Sequence, residues 1–368
     1  MSRQRGQARL PPLPSGGATS SPQDRTGVLP TASSRGWQRP SIYDVARHAG
    51  VSHMTVSRVL NDQPHIRETT RRHVLRAMDE LNYTPSSIAR ALATGRPRRI
   101  GVLVDGPIEN GPNRTLRALE NAAREVGYAV STFSSDDGGV SPAGSRVMEL
   151  VTEGVDAVCV IAPRESSLDL LRQQTTGLPT IVIKAESDAA WHTVGVDQRE
   201  GARLAVRHLI ELGHRNIAHL AGPMDWFDAR ERAQGWREAL AEAGLVEGLC
   251  LVEDWGSEYG FDVGRSHDLG EATAVFAAND QIALGLIHGL HDRGIRVPHD
   301  ISVVGFDDLS DARHFLPPLT TIRQDFAALG ALALRRIVAA IEGEAVAGHD
   351  VIHPTLVVRG STGPLVRG

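Results

Sequence analysis

Hydrophobic and polar positions alternate along this chain with two different periods. Between residues 41 and 81 the apolar positions recur at helical spacing three times over, with turn residues at Gly50 and around Asn61-Asp62-Gln63-Pro64. From Ile100 onward short β-rich runs alternate with amphipathic helical stretches: Ile100–Val104, Ala157–Ile161, Thr180–Ile183, Ile217–Leu220, Ala274–Ala277 and Ile301–Gly305. The first pattern predicts a small all-α domain, and the second predicts parallel sheets covered by helices on both faces. Such runs are too many for one ordinary sheet, and Val194-Gly195-Val196-Asp197 offers a crossover. Two doubly wound lobes with a cleft at the carboxyl ends of their strands follow.

Residues 1–40, rich in Pro, Gly, Ser and Arg, have almost no periodic apolar positions and read as a disordered tail. A helical head is expected over 41–84. A Ser/Ala/Leu stretch then leads into Thr94-Gly95-Arg96-Pro97, so 85–97 reads as a short helix and linker. The α/β core is expected over 98–362, with a tail at 363–368.

A chain of 368 residues exceeds what one core holds, in line with several domains. Charge is unevenly placed: residues 1–40 carry six Arg against one acid, and 41–99 carry ten Arg against five acids, in a chain of net −5. A basic front end before an acidic body points to a polyanion partner for the front alone. Because Lys184 is the only lysine, the Arg count partly reflects composition and is discounted. Cys159 and Cys250 each sit in an apolar run without a CxxC neighbour, as buried free thiols in a reducing compartment would. No apolar stretch approaches the roughly 20 residues of a membrane span and no apolar signal segment opens the chain, so a cytoplasmic protein is expected.

Within the head, Ser41 with Asp44 three residues on resembles a capping box, opening a helix with Ile42, Val45, Ala46 and Ala49 on one face. Gly50 supplies the turn, and Ser52 caps a second helix. Val56, Val59 and Leu60 face inward there, leaving His53, Met54, Thr55, Ser57 and Arg58 outward. Such a helix can enter a major groove while hydroxyls and Asn61 hold phosphates.

Tyr43-Asp-Val-Ala followed by Val51-Ser-x-x-Thr-Val-Ser-Arg58-Val-Leu-Asn61 resembles the signature of the lactose/galactose repressor family. The resemblance runs from about residue 41 to 362 through Leu212-Gly-His-Arg, Arg230-x-Arg232-x-x-Gly235-Trp236, Asn279-Asp280-Gln, Asp300-Ile-Ser-Val-Val-Gly-Phe306-Asp307-Asp308 and Pro318-Leu-Thr-Thr-Ile322-Arg-Gln-Asp. It implies a helix-turn-helix head joined to two lobes of the periplasmic-binding-protein type, working as a homodimer on a pseudo-palindromic operator. By this resemblance His53 and Met54 are the main operator readers, with Arg58 on a base edge, that of guanine. Met54 would read by apolar contact. Ile42, Tyr43, Ser52, Thr55, Ser57, Asn61 and His65 match positions that set the head on the backbone. Leu92 is the implied minor-groove wedge of a hinge helix, with Ser86, Arg90 and Ala93 beside it.

For the core, the resemblance implies effector contacts at Asp105, Arg232, Trp255, Asn279, Asp307 and Phe326, although Asn279 could instead cap its helix. Arg, Asp and Asn suit vicinal hydroxyls, and an aromatic surface suits the apolar face of a sugar. Trp191 and Trp226 could stack or pack; Trp236 reads as core. Asp105 and Lys184 stand where the lactose repressor would place a serine and an aspartate, so the sugar is not carried over. A neutral saccharide inducer is the preferred ligand, and a purine or phosphosugar acting as corepressor is the alternative. The histidines show no metal-ligand spacing and no nucleophile elbow occurs. A regulator rather than an enzyme is therefore expected, with no cofactor.

Overall fold

The computed structural model describes residues 40–60, 63–64, 66–83, 97–105, 110–135, 149, 151–161, 164–165, 168, 172 and 176–365, with side chains at 105, 110 and 135 excepted. Residues 1–39 of the tail expected over 1–40, residues 85–96 of the hinge and linker expected over 85–97 (with Ser86, Arg90, Leu92 and Ala93), and Asn61 and His65 lie outside these residues. The chain divides at residue 85 into two compact units.

The first unit holds α1 (Ile42–Ala49), α2 (His53–Leu60) and α3 (Glu68–Glu80). The capping box forms: Ser41 N donates to Asp44 Oδ2 at 2.9 Å, and Asp44 N donates to Ser41 Oγ at 3.3 Å. Gly50 ends α1 with φ 67°, a left-handed conformation that glycine adopts without a Cβ penalty. At α2, Thr55 N donates to Ser52 Oγ at 3.1 Å. Val45, Ala46, Val56, Val59, Val74 and Ala77 form the buried centre, with Ile42, Ala49 and Leu60 packed round it.

The second unit contains two six-stranded sheets. Lobe 1 is built on β1 (Arg99–Asp105), β2 (Ala129–Ser135), β3 (Ala157–Ile161), β4 (Thr180–Ile183), β5 (His192–Val196) and β11 (His349–Ile352), in the order β11-β5-β4-β3-β1-β2. All five pairings are parallel, with Val102 lying between Thr132 and Cys159. Lobe 2 is built on β6 (Ile217–Ala221), β7 (Cys250–Val252), β8 (Ala274–Ala277), β9 (Ser302–Asp307), β10 (Thr320–Arg323) and β12 (Thr355–Val357), in the order β12-β10-β9-β8-β6-β7. Only β12 runs antiparallel to its neighbour. Helices α4 (Asn110–Glu125) and α9 (Phe326–Ile341) pack on lobe 1. Helices α5 (Gln198–Glu211), α6 (Phe227–Glu242), α7 (Ser257–Ser266) and α8 (Asp280–Asp292) pack on lobe 2.

The chain crosses between lobes three times, after β5, after β10 and after β11. The first crossing is where the sequence placed it. All six expected runs are strands, whereas β2, β5, β7, β10, β11 and β12 were not foreseen. Those strands are short or carry Thr, Ser, His and Arg at edges, so a search for continuous apolar runs passes over them.

Trp236 is fully buried, its Nε1 donating to Ile217 O at 3.2 Å, which settles it as core. Cys159 is buried, and the loss of hydration pushes its thiol up to about 12. Cys250 corrects the expectation of two buried thiols: it lies half-exposed on the edge strand β7. Lobe 2 holds its C-terminal segment as far as Leu365, whose N–H donates to Leu212 O at 2.9 Å. Among the described residues no helix is long and apolar enough to cross a membrane.

Candidate functional site

Two groups of residues stand out, one on each unit. On the head, Val56 and Val59 hold the inner face of α2, which turns His53, Met54 and Arg58 into solvent with Thr55 and Ser57 half-buried beside them. Met54 is 55% exposed and Tyr43 61%, large values for such side chains. The Tyr43 ring lies 5.1 Å from that of His53, so α1 supplies one edge of the surface that α2 presents. The result is an exposed helix with a cation, an imidazole, a thioether and hydroxyls in its first two turns, able to hydrogen-bond base edges and phosphates.

In the core, a partly open cleft lies between the two lobes. Lobe 1 contributes Gly111, Pro112, Thr115, Ile161, Ile183 and Lys184, with Phe326 and Leu329 from α9; lobe 2 contributes Trp226, Asp228, Arg232, Trp255, Asn279 and Asp307. Gln198 and Gln324 enter it from two of the crossings. Arg232, Trp255, Asn279, Asp307 and Phe326 thus line one cleft. The Asp105 side chain is outside the described positions.

The polar residues form a closed ring. Arg232 Nε donates to Gln198 Oε1 at 2.8 Å, Gln198 Nε2 to Gln324 Oε1 at 2.9 Å, and Gln324 Nε2 to Asp307 Oδ1 at 2.6 Å. Asp307 Oδ1 closes the ring on Arg232 Nη2 at 3.5 Å. Arg232 also donates from Nη1 to the carbonyl of Ala278, and its guanidinium covers the Phe306 ring at 3.9 Å. With 4% exposure it is a fixed, oriented donor, not a surface arginine. Burial raises the pKa of Asp307, while Arg232 and Gln324 work against that rise. Behind it, Asp280 is pushed up to about 8 by burial and then by Asp307, although Thr321 Oγ1 donates to it at 2.5 Å and Leu309 N at 2.7 Å.

Asn279 takes the capping role that was the alternative to an effector contact. Its Oδ1 caps α8 by accepting from Ile282 N at 2.7 Å, and its Nδ2 donates to Trp255 O at 3.0 Å, which positions the indole. The cap therefore uses the side chain that was expected to reach the effector. Trp226 meets Trp255 edge to face at 5.9 Å, so the second indole lines the cleft; Trp191 packs under Arg172, away from the cleft. Lys184 is buried, 3.1 Å from Asp188 Oδ2 and 4.2 Å above the Phe227 ring. Asp228, not foreseen, faces the cleft with its pKa pushed up to about 6, chiefly by burial.

Gln198 and Gln324 were missed as well. Each follows the carboxyl end of a strand, where open α/β sheets place ligands, and that position was the available signal. Among the described residues no cluster of His, Cys, Asp or Glu could hold a metal ion. The geometry suits a small neutral molecule rich in hydroxyls: buried forks and carboxylates to align with, and flat apolar walls on both lobes.

Comparisons with known proteins agree with this division. Residues 41–86 match the model for bacterial regulatory proteins of the lacI family, and 206–362 match that of a periplasmic binding protein-like domain. The chain is 34% identical over 326 residues to the lactose operon repressor of Escherichia coli (strain K12), covering 88% of this chain and 90% of that one. It is 34% identical over 333 residues to the HTH-type transcriptional repressor PurR of Pasteurella multocida, covering 87% and 98%. Among solved structures, that of the lac repressor dimer bound to operator and the anti-inducer ONPF superposes with a TM-score of 0.78 at 34% identity, covering 89% of this chain and 100% of the other.

Proposed function

The chain belongs to the lacI family of bacterial regulatory proteins, and from that premise we propose that it is a homodimeric transcriptional repressor whose operator affinity is set by a neutral saccharide in the interlobe cleft. The observation that carries the ligand class is the buried ring of Arg232, Gln198, Gln324 and Asp307 beside the Trp255 and Phe326 walls. Planar forks and carboxylates held in fixed geometry fit vicinal hydroxyls, and flat rings fit the C–H face of a pyranose.

Two carboxylates face this cleft, Asp228 and Asp307, and Lys184 is already paired with Asp188. A phosphate group would meet repulsion that a hydroxyl does not, which favours the neutral sugar over a phosphosugar. In the head, Arg58, His53 and Met54 would read base edges, with Tyr43, Ser52, Thr55 and Ser57 setting the register. Ligand binding to one relative pose of the lobes shifts the equilibrium between poses and so changes operator affinity.

A second reading has two observations in its favour. Trp226, Trp255 and Phe326 could also stack a planar base, and the chain resembles PurR as closely as it resembles the lactose operon repressor. On that reading a purine would tighten operator binding where a sugar inducer would weaken it.

The test is fluorescence anisotropy of a labelled fragment of the gene's own upstream DNA, titrated with the protein in the presence of mono- and disaccharides, hypoxanthine or guanine. Weaker binding with a sugar supports the proposal. Tighter binding with a purine replaces it by the second reading, and no change with any of them contradicts both.

A further inference from the structure

The Asp307–Asp308 corner of lobe 2 is bonded to lobe 1 through the side chain of Arg114. Arg114, in the second turn of α4, sends Nη1 across the cleft to the carbonyl oxygens of Asp307 at 3.0 Å and Asp308 at 3.3 Å. Its guanidinium lies 4.5 Å above the ring of Phe326, a cleft wall. One group therefore touches two residues of the candidate site, Asp307 across the cleft and Phe326 in its own lobe.

The acceptors are shaped for it. Asp307 and Asp308 have φ of 107° and 49°, both positive, at the end of β9. Side chains adopt such angles at a cost, and the strain persists only where the surroundings hold it. Here the surroundings hold both side chains. The Asp307 carboxylate is in the ring with Gln324 and Arg232, and that of Asp308 is gripped by Arg323 at 2.6 Å and Arg359 at 2.5 Å. With both side chains fixed, the turned carbonyls are presented to Arg114.

Lobe 1 receives this contact on a stiff body. A Cβ on Gly330 of α9 would lie 2.7 Å from the backbone of Ala118 in α4, so these helices touch backbone to backbone. Helix α4 also follows β1, the first strand after the segment leading from the head. Other ties join the lobes elsewhere: Glu165 N donates to Asp225 O at 3.2 Å, and Phe227 of α6 belongs to the lobe 1 cluster of Leu103, Val158 and Val160. Arg230 of α6 reaches Glu165 at 2.6 Å and Glu186 at 3.7 Å, ion pairs whose acids are 61% and 36% exposed and which salt screens.

We propose that Arg114 is the positioning residue that locks the pose of the two lobes to the conformation of the Asp307–Asp308 corner, so that a ligand moving Asp307 moves α4. The lock itself is independent of the ligand's identity. Its use in control of operator binding rests on the proposed function.

The test uses the full-length chain with Cys159 and Cys250 replaced by alanine and nitroxides placed at the exposed residues 125 in lobe 1 and 271 in lobe 2, labelled protein being diluted with unlabelled. Double electron–electron resonance then reads interlobe spacing, and labels at 258 and 271 report lobe 2 alone. Arg114→Ala is expected to raise the population of longer interlobe distances on the order of tenfold, with the lobe 2 pair unchanged and Arg114→Lys restoring most of the original distribution. An unchanged interlobe distribution in Arg114→Ala overturns the proposal, and so does equal broadening of both pairs, which would make Arg114 a general stabiliser. Failure of every sugar to alter operator binding by the unsubstituted chain would count against the proposed function, with the distance test still deciding the lock.

Discussion

In the head, Val45, Val56, Val59 and Val74 are buried while His53, Met54 and Arg58 stand in solvent; in the cleft, Arg232, Gln198, Gln324 and Asp307 are themselves buried and bonded to one another. A surface that meets a large polyanion can leave its reading groups hydrated until contact. A pocket for a small polar molecule must align its groups beforehand, and buried polar groups are costly unless paired. The same residue type, arginine, is therefore free of structural duty at position 58 and central to it at position 232.

The largest effect that separates the two is on stability. Arg232→Ala leaves Asp307 buried beside a vacated cation site and should cost about 3–5 kcal/mol in urea unfolding of the core. Arg58→Ala, exposed on α2, should stay within about 0.5 kcal/mol. Equal losses from the two substitutions would erase the contrast.

Acid sharpens it next. His219 is fully buried in lobe 2, its ring stacked on Phe276 at 4.7 Å, and burial lowers its pKa to about 4. The unfolded chain takes up this proton below about 6.5 and the folded chain only below about 4, so stability is lost as pH falls through that window, by roughly 3 kcal/mol in all. Asp280 runs the other way. Folded, it keeps its proton up to about 8, so its contribution falls as pH rises from the ordinary carboxylate range. The difference between the unsubstituted chain and His219→Phe isolates the histidine: the variant should lose less stability between pH 6.5 and 4, as followed by urea midpoints. Parallel curves would count against the assignment.

On DNA the order of the two arginines reverses. Arg58→Ala should weaken specific operator binding by about 1–3 kcal/mol, roughly ten- to hundredfold, in the anisotropy titration. The smallest expected change is Ser41→Ala, which removes the capping box of α1 and should lower the head's stability by about 1 kcal/mol in thermal unfolding.

The same contrast explains what could be read from the sequence. The head was legible nearly residue by residue, because Ser41, Asp44, Gly50 and Ser52 act on backbone within three or four positions of themselves. In the core, the lobes and the first crossing followed from apolar runs. The ring did not, because Gln198 and Gln324 are 126 residues apart and meet only once the chain has crossed between lobes. Arg232 and Asp307 were found through family resemblance, and nothing local to Asp228 or Arg114 announced a place at the cleft. Asn279 shows the converse: a capping pattern and a ligand pattern look alike until the acceptor of each bond is seen.

The most direct test of the account is a single matrix: operator affinity, with and without the sugar that acts on the unsubstituted chain, for Arg58→Ala and Asp307→Asn. The account predicts that Arg58→Ala loses operator affinity while binding the sugar as before by calorimetry, and that Asp307→Asn binds operator normally but no longer responds to the sugar. If Asp307→Asn responds as the unsubstituted chain does, the cleft described here is not where the signal enters.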